Sequence, residues 1–353
     1  MRHFIFLAIV FLMGSLVQAQ TEPKKNDPPK FSFGSIEPKN VAYPNWKTAT
    51  FGGTQFWTDV RVASDWRIQR NSSFGHFRLL DEDNIRQAWG EESKCTAELE
   101  KRLKTGTVKP CRGEVVILLH GLCRSWRSMK TLAEHLETMG YETILFRYAS
   151  SRQPVAEHAR CLRQVIDSLP PDVTEINFVA HSLGNIVVRH YVSDCAKSSD
   201  CKLDSRINRM VMIGPPNQGS RMARLMKDSL SFKMIAGASG AQLSLGWEKL
   251  SENLATPEFE FGIIAGGYGA DGSALSNPVL YGQDDFTVSK WETMLPGADD
   301  FLVKHLVHST MMNQLEVLEA TTQFLDKGYF ISNERKRPIQ SLPAKPGLEE
   351  VAK

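Results

Sequence analysis

The sequence predicts an α/β protein built on a mostly parallel sheet flanked by helices, and three observations carry that expectation. A continuous apolar run at Val115–Leu119 has the length and composition of a strand buried on both faces, and Ile176–Ala180 and Arg209–Ile213 read as further strands. Between them, apolar residues recur at helical spacing, at Trp126, Met129, Leu132, Leu136 and Met139, then at Val155, Ala159, Leu162, Val165 and Leu169. Each helical stretch stops at a breaker, Gly140 in the first case and Pro170-Pro171 in the second. Alternation on this scale builds parallel sheets through right-handed crossovers.

Taken in chain order, residues 1–19 read as a secretory signal peptide: Arg2, an apolar run from Phe4 to Val17, then small residues ahead of Gln20. The run is shorter than the roughly 20 residues that span a bilayer. Residues 20–45 are rich in Pro, Lys and Asn, as expected of a disordered linker. Residues 46–112 form an N-terminal extension. The alternation in Phe56–Val62 and Trp66–Arg70 predicts one or two antiparallel strands at a sheet edge, and 91–105 a charged surface helix. The main domain spans 113–330, with further strands at 142–148, 259–265 and 301–307 and a closing helix marked by Met311, Leu315, Leu318 and Leu325. Residues 217–257 break the rhythm with an apolar, methionine-rich stretch followed by Gly237, Gly240 and Gly246. They are expected to cap the site, with Met222, Leu225 and Met226 against substrate. A flexible tail follows at 331–353.

Charge and cysteine usage narrow the function classes. Among 353 residues, 42 Lys+Arg oppose 40 Asp+Glu, and 42% are apolar. That balance argues against a polybasic nucleic-acid binder and against a multi-span membrane protein. The six cysteines, at 95, 111, 123, 161, 195 and 201, include no Cys-x-x-Cys pair and no grouping with histidine, so a metal site is not expected. Export favours disulfides, and chain order gives Cys95–Cys111, Cys123–Cys161 and Cys195–Cys201 as the expected pairs.

The chemistry should come from residues just past the carboxyl ends of the apolar runs. The third strand runs into Ala180-His181-Ser182-Leu183-Gly184 and then a helix, the strand–turn–helix context of a nucleophile elbow. Small residues two before and two after the serine, here Ala180 and Gly184, let the chain turn tightly. Attack on a carbonyl creates an oxyanion that needs oriented donors. The backbone N–H of Leu183 is one candidate. Leu122, in the loop after His120-Gly121, is the other, with Cys123 as fallback. His120 reads as a structural side chain.

A serine needs a base, and the base an orienting carboxylate, in the chain order Ser, Asp/Glu, His. Asp285 fits through its spacing to Val288, with Asp284 as runner-up and Asp271 as a turn former. His308, at the end of the last strand, is preferred to His305, since alternation puts the two on opposite faces.

Ala-His-Ser-Leu-Gly at 180–184, His-Gly-Leu at 120–122, Pro-Asn-Gln-Gly-Ser at 216–220, Asp285-x-x-Val288 and His308 together resemble the α/β-hydrolase superfamily, closest to its lipase/esterase branch. The resemblance covers roughly residues 113–328. It implies a Ser182/Asp285/His308 triad, an acyl-enzyme intermediate, a small-molecule or lipid ester as substrate, transient contact with a membrane surface, and no cofactor. Acyl transfer, thioesterase or amidase chemistry on the same triad, and a non-catalytic binding role on the same scaffold, remain as alternatives. Two departures stand out: Ala180 replaces the commoner Gly, and Phe286 occupies a place often held by Gly.

Overall fold

The computed structural model describes residues 55–346 apart from 270–276, 278 and 281. The expected signal peptide and linker, and Asp271, lie outside the described residues.

Side chains alternate between the faces of a pleated strand, and the first described segment uses this to build a sheet of its own. Strands β1 (Trp57–Ala63), β2 (Trp66–Asn71), β3 (Phe77–Leu80) and β4 (Arg86–Gly90) pair antiparallel in sequential order. The extension therefore holds four strands rather than one or two. Its polar positions mimic a solvated face but are buried. Asp59, Gln69 and Arg78 face one another across three strands. Gln69 donates to Asp59 (2.7 Å), Arg78 to Gln69 (2.7 and 3.0 Å) and Arg67 to Asp59 (3.2 Å). Ile68, Leu79 and Ala88 on the other face share a core with Cys95 and Leu99 of helix α1 (Glu92–Lys104).

The main sheet has six parallel strands, β5 (Gly113–Leu119), β6 (Glu142–Phe146), β7 (Val173–His181), β8 (Ile207–Ile213), β9 (Glu260–Gly266) and β10 (Asp300–Lys304), in the spatial order β10-β9-β8-β7-β5-β6. The remaining helices are α2 (Lys130–Thr138), α3 (Val155–Asp167), α4 (Leu183–Lys197), α5 (Arg221–Leu225), α6 (Leu230–Ser244), α7 (Trp247–Ser251), α8 (Lys290–Thr293) and α9 (Leu315–Lys327). Val116 and Leu118 of β5 share a core with Leu132 and Leu136 of α2 and Val317 and Phe324 of α9. Val115, Ile117 and Leu119 share the other core with α3 and α4. Strands covered on both faces are largely apolar, which is why Val115–Leu119 reads as an unbroken run; β7 keeps a buried Asn177, which donates to Glu175 (2.6 Å) and accepts from Arg209 N–H (2.9 Å). The N-terminal sheet abuts the outer side of this one: Asp59 N–H donates to the Arg147 carbonyl (2.8 Å), and Arg147 N–H returns to the Asp59 carboxylate (2.9 Å).

The cap region folds as α5, α6 and α7. Both its ends are bolted to α4 by Arg189, a buried side chain that donates to the Ala255 carbonyl (2.9 Å) and the Asn217 side chain (3.0 Å). Gly237 interrupts α6 at φ 54° and ψ −142°. A Cβ there would lie 1.9 Å from the Ser151 carbonyl oxygen, to which Ala238 N–H donates (3.0 Å). This glycine makes a tight backbone crossing rather than a free hinge.

Two of the three expected disulfides are absent. Cys195 and Cys201 are bonded, closing a short polar loop, whereas Cys95, Cys111, Cys123 and Cys161 are free thiols. Cys95 and Cys161 sit on core-facing positions of α1 and α3, where they pack as small apolar side chains. Burial pushes the thiols of Cys95, Cys111 and Cys161 up to about 12.

Candidate active site

Because β5, β7, β8 and β10 run parallel, their carboxyl ends share one rim, and the expected residues gather there. Ser182 links β7 directly to α4 with φ 52° and ψ −119°, a left-handed conformation that a serine adopts only when its surroundings impose it. The restraints are visible. Ser182 N–H donates to the Ile213 carbonyl (2.9 Å), and its own carbonyl accepts from both nitrogens of Asn185 (3.1 and 3.0 Å). Gly184 is required by packing, since a Cβ there would lie 2.8 Å from both Cβ and the carbonyl oxygen of Leu119. Ala180 is fully buried within the sheet. Ser182 itself is half-buried between buried neighbours.

The loop after β5 leans on this turn. A Cβ added to Gly121 would sit 3.1 Å from Ser182 Cβ, so the backbone of 120–122 passes as close to the serine as glycine allows. The Tyr148 hydroxyl donates to the His120 carbonyl, and the two rings stack at 4.2 Å. His120 Nδ1–H in turn donates to the Gly121 carbonyl (2.9 Å). Burial lowers the His120 pKa to about 4, so its ring is a neutral strut, as expected. The backbone N–H groups of Leu122 and Leu183 find no protein acceptor among the described residues. Cys123 is exposed, at φ 56°.

Asp285 and His308 are brought together. His308 Nδ1 lies 2.6 Å from Asp285 Oδ2, and its backbone N–H donates to the Asp285 carbonyl (3.0 Å). The second carboxylate oxygen of Asp285 accepts from the N–H groups of Thr287 (2.9 Å) and Val288 (2.7 Å), a physical basis for the Asp-x-x-Val spacing. Asp285 is fully buried and His308 nearly so. The His308 ring lies against Gly214, whose Cβ would be 3.1 Å from Nδ1. Gly214 follows Ile213, the residue that holds the Ser182 amide.

Asp284 faces the other way. Its carboxylate accepts from the N–H groups of Phe286 (2.7 Å) and Asn277 (3.0 Å). Burial raises its pKa to about 6, against the opposing pull of those hydrogen bonds. His305 lies just past β10, is exposed, and stacks on Tyr268. Met222 is half-buried on α5, whereas Leu225 and Met226 are 54% and 39% exposed. The cap reaches the loop after β5 elsewhere: a Cβ on Gly240 would lie 3.7 Å from Leu122 Cδ2.

Sequence reasoning missed three supporting residues. Tyr148 carries no motif. Arg189 is hidden inside an apolar helix, where a lone cation was its only signal. Glu292 is a buried carboxylate that accepts from Arg221 N–H of the cap (2.6 Å) and Ser289 N–H (2.9 Å). Its signal was the capping-box pattern Ser289-x-x-Glu292.

Residues 112–214 match the family described as "Putative serine esterase (DUF676)", a span that includes Leu122 and Ser182 but ends before Asp285. No curated protein matches the chain by sequence. Similar solved structures include the Bacillus licheniformis lipase BlEst2 in mature form, at 18% identity and TM-score 0.40 over 60% of this chain and 90% of that one. The lin2722 gene product from Listeria innocua is 20% identical, with TM-score 0.44 over 65% and 98% of the two chains. The metagenomic carboxyl esterase MGS0156 is 18% identical, with TM-score 0.43 over 57% and 67%. At such scores these likenesses carry no argument about substrate. The strand order and the turn that carries Ser182 are those of the α/β-hydrolase fold, and residues 112–214 within it match the family described as a putative serine esterase.

Proposed function

We propose that the protein hydrolyses carboxylic esters through Ser182, His308 and Asp285. His308 takes the serine proton as Ser182 Oγ attacks the carbonyl carbon. Asp285 holds the imidazole with its proton on Nδ1 and stabilises the cation that forms. The N–H groups of Leu122 and Leu183 receive the oxyanion. Collapse of the tetrahedral adduct expels the alcohol, which takes the proton from His308, and water then cleaves the acyl-enzyme by the same steps in reverse roles. The observation that carries this reading is the buried Asp285–His308 hydrogen bond at 2.6 Å, set on the same rim as the strained Ser182 turn. Replacing Ser182 by Ala should lower kcat on p-nitrophenyl esters by several orders of magnitude and abolish fluorophosphonate labelling. Near-wild-type turnover by that variant would remove the assignment.

A lipid ester is favoured over a freely soluble one by the cap. Leu230 and Met234 of α6 are 77% and 76% exposed, and Leu225, Ile235 and Leu245 exceed half exposure. Clustered apolar exposure of this kind marks a contact surface. The reading has Met222, Leu225 and Met226 meeting the acyl chain while the cap touches the lipid surface. Activity that rises as substrate passes its solubility limit is expected; activity indifferent to that limit would favour a soluble ester. The same reading has residues 1–19 removed on export, with Cys195–Cys201 formed in an oxidising compartment. Mass spectrometry finding Met1 on the mature protein would overturn the export part.

A further inference from the structure

The backbone of His308 is fixed from both sides. Its N–H donates to the Asp285 carbonyl (3.0 Å), and its carbonyl accepts from Nε2 of His181 (3.0 Å). His181 is the last residue of β7 and immediately precedes Ser182. Its backbone therefore carries the elbow, while its ring carries the chain that bears the base; the two rings lie 4.7 Å apart. The same ring also touches the loop after β5, since a Cβ on Gly121 would sit 3.0 Å from His181 Nδ1. From that loop Arg124 holds the next carbonyl, at Ser309 (3.2 Å).

We propose that His181 is a positioning residue: its Nε2–H bond to the His308 carbonyl fixes the placement of the His308 ring relative to Ser182. The inference rests on the Ser182–His308–Asp285 reading above. A carbonyl only accepts, so Nε2 of His181 carries the proton and Nδ1 is bare. Nδ1 has no partner among the described residues. A buried polar atom left unpaired is a cost that needs a reason, and the donor on the other side of the ring supplies one. Burial foremost, with His308, Arg124 and His120 nearby, holds the ring's pKa well below the usual histidine value. The imidazole thus stays neutral, in one tautomer, wherever the base can act. Removing it deletes one orphaned acceptor and creates another at the His308 carbonyl, so the expected effect is on geometry more than on stability.

The test compares His181→Leu, His181→Gln and His181→Asn, with active sites counted by fluorophosphonate titration and thermal midpoints measured alongside. Glutamine can present its amide N–H where Nε2 stood; leucine has no donor, and asparagine is too short to reach. For the Leu variant, kcat per titrated site should fall about 10- to 100-fold, since small misplacements cost that much, with KM changed less than about twofold. Glutamine should recover at least about fivefold of that loss. Asparagine should behave like leucine, and serves in its place should the Leu variant fail to fold. Wild-type kcat per site in the Leu or Asn variant, or a Gln variant no better than Asn, overturns the proposal. Labelling of Ser182→Ala at the wild-type rate would instead overturn the triad reading itself.

Discussion

Asp285→Asn separates orientation of the base from simple packing, and the structure predicts how the amide must sit. One carboxylate oxygen accepts from the N–H groups of Thr287 and Val288, while the other faces His308 Nδ1 at 2.6 Å. Only oxygen can accept from those two N–H groups, so the asparagine oxygen takes that place and its NH2 points at His308. The NH2 then donates to Nδ1, which moves the imidazole proton to Nε2, the nitrogen that receives the serine proton in the proposed mechanism. The volume is unchanged and the two backbone bonds survive, so folding should be preserved. A triad with the wrong tautomer loses about 10⁴ in kcat, or about 5.5 kcal/mol of barrier. The assay is kcat and KM on a short p-nitrophenyl ester, normalised to folded protein by circular dichroism. A folded Asp285→Asn variant within tenfold of wild type would refute the reasoning, and a 10⁴-fold loss in Asp284→Asn instead would transfer the role to its neighbour.

Two further outcomes follow from burial. The Asp284 carboxyl, raised from 3.8 to about 6 by burial, holds a proton in the folded state that the unfolded chain has already lost between those values. Its contribution to stability is therefore fully present below about pH 4 and lost as pH rises through about 6. Asp284→Asn should lack that component, so its urea midpoint relative to wild type should shift upward between pH 4 and 7; a constant offset would contradict the raised pKa. Thiol titration in denaturant should count four thiols without reductant and two more after reduction, from the free cysteines and the bonded pair respectively. Two thiols or none before reduction would reinstate one or both of the absent pairings.

What the sequence revealed tracks where the physics is local. Parallel strands covered on both faces have few polar positions, so the apolar stretches of β5, β7 and β8 were legible. The turn at Ser182 was legible because tight geometry demands small residues at 180 and 184. His308 was preferred to His305 by strand alternation, yet β10 ends at Lys304 and both histidines lie beyond it; the structure buries the first and exposes the second. The N-terminal sheet was only partly legible because its buried ladder of Asp59, Gln69 and Arg78 is polar, and composition alone assigns such residues to solvent. Cysteine pairing by chain order failed for Cys95 and Cys161, since helix faces, not sequence order, decide whether a thiol meets the core. His181 stood in plain view inside the motif, but its partner lies 127 residues away, a separation that no local pattern encodes.

The two adjacent aspartates show how such a separation is resolved. Phe286 sits at φ 73°, a conformation costing a non-glycine residue roughly 1–2 kcal/mol. Its backbone N–H donates to Asp284 (2.7 Å), and its ring meets that of Tyr268 at 5.2 Å. Asp284 thus holds the left-handed turn in place. That turn carries the chain onward so that the N–H groups of Thr287 and Val288 close on one oxygen of Asp285, which leaves the other aimed at His308. Neither carboxylate is distinguishable by type, and one step along the chain reverses which way each faces. The strained residue between the two sets of bonds is therefore what divides their work. Asp284 spends its hydrogen bonds on the loop's own backbone, and Asp285 keeps one oxygen for the imidazole.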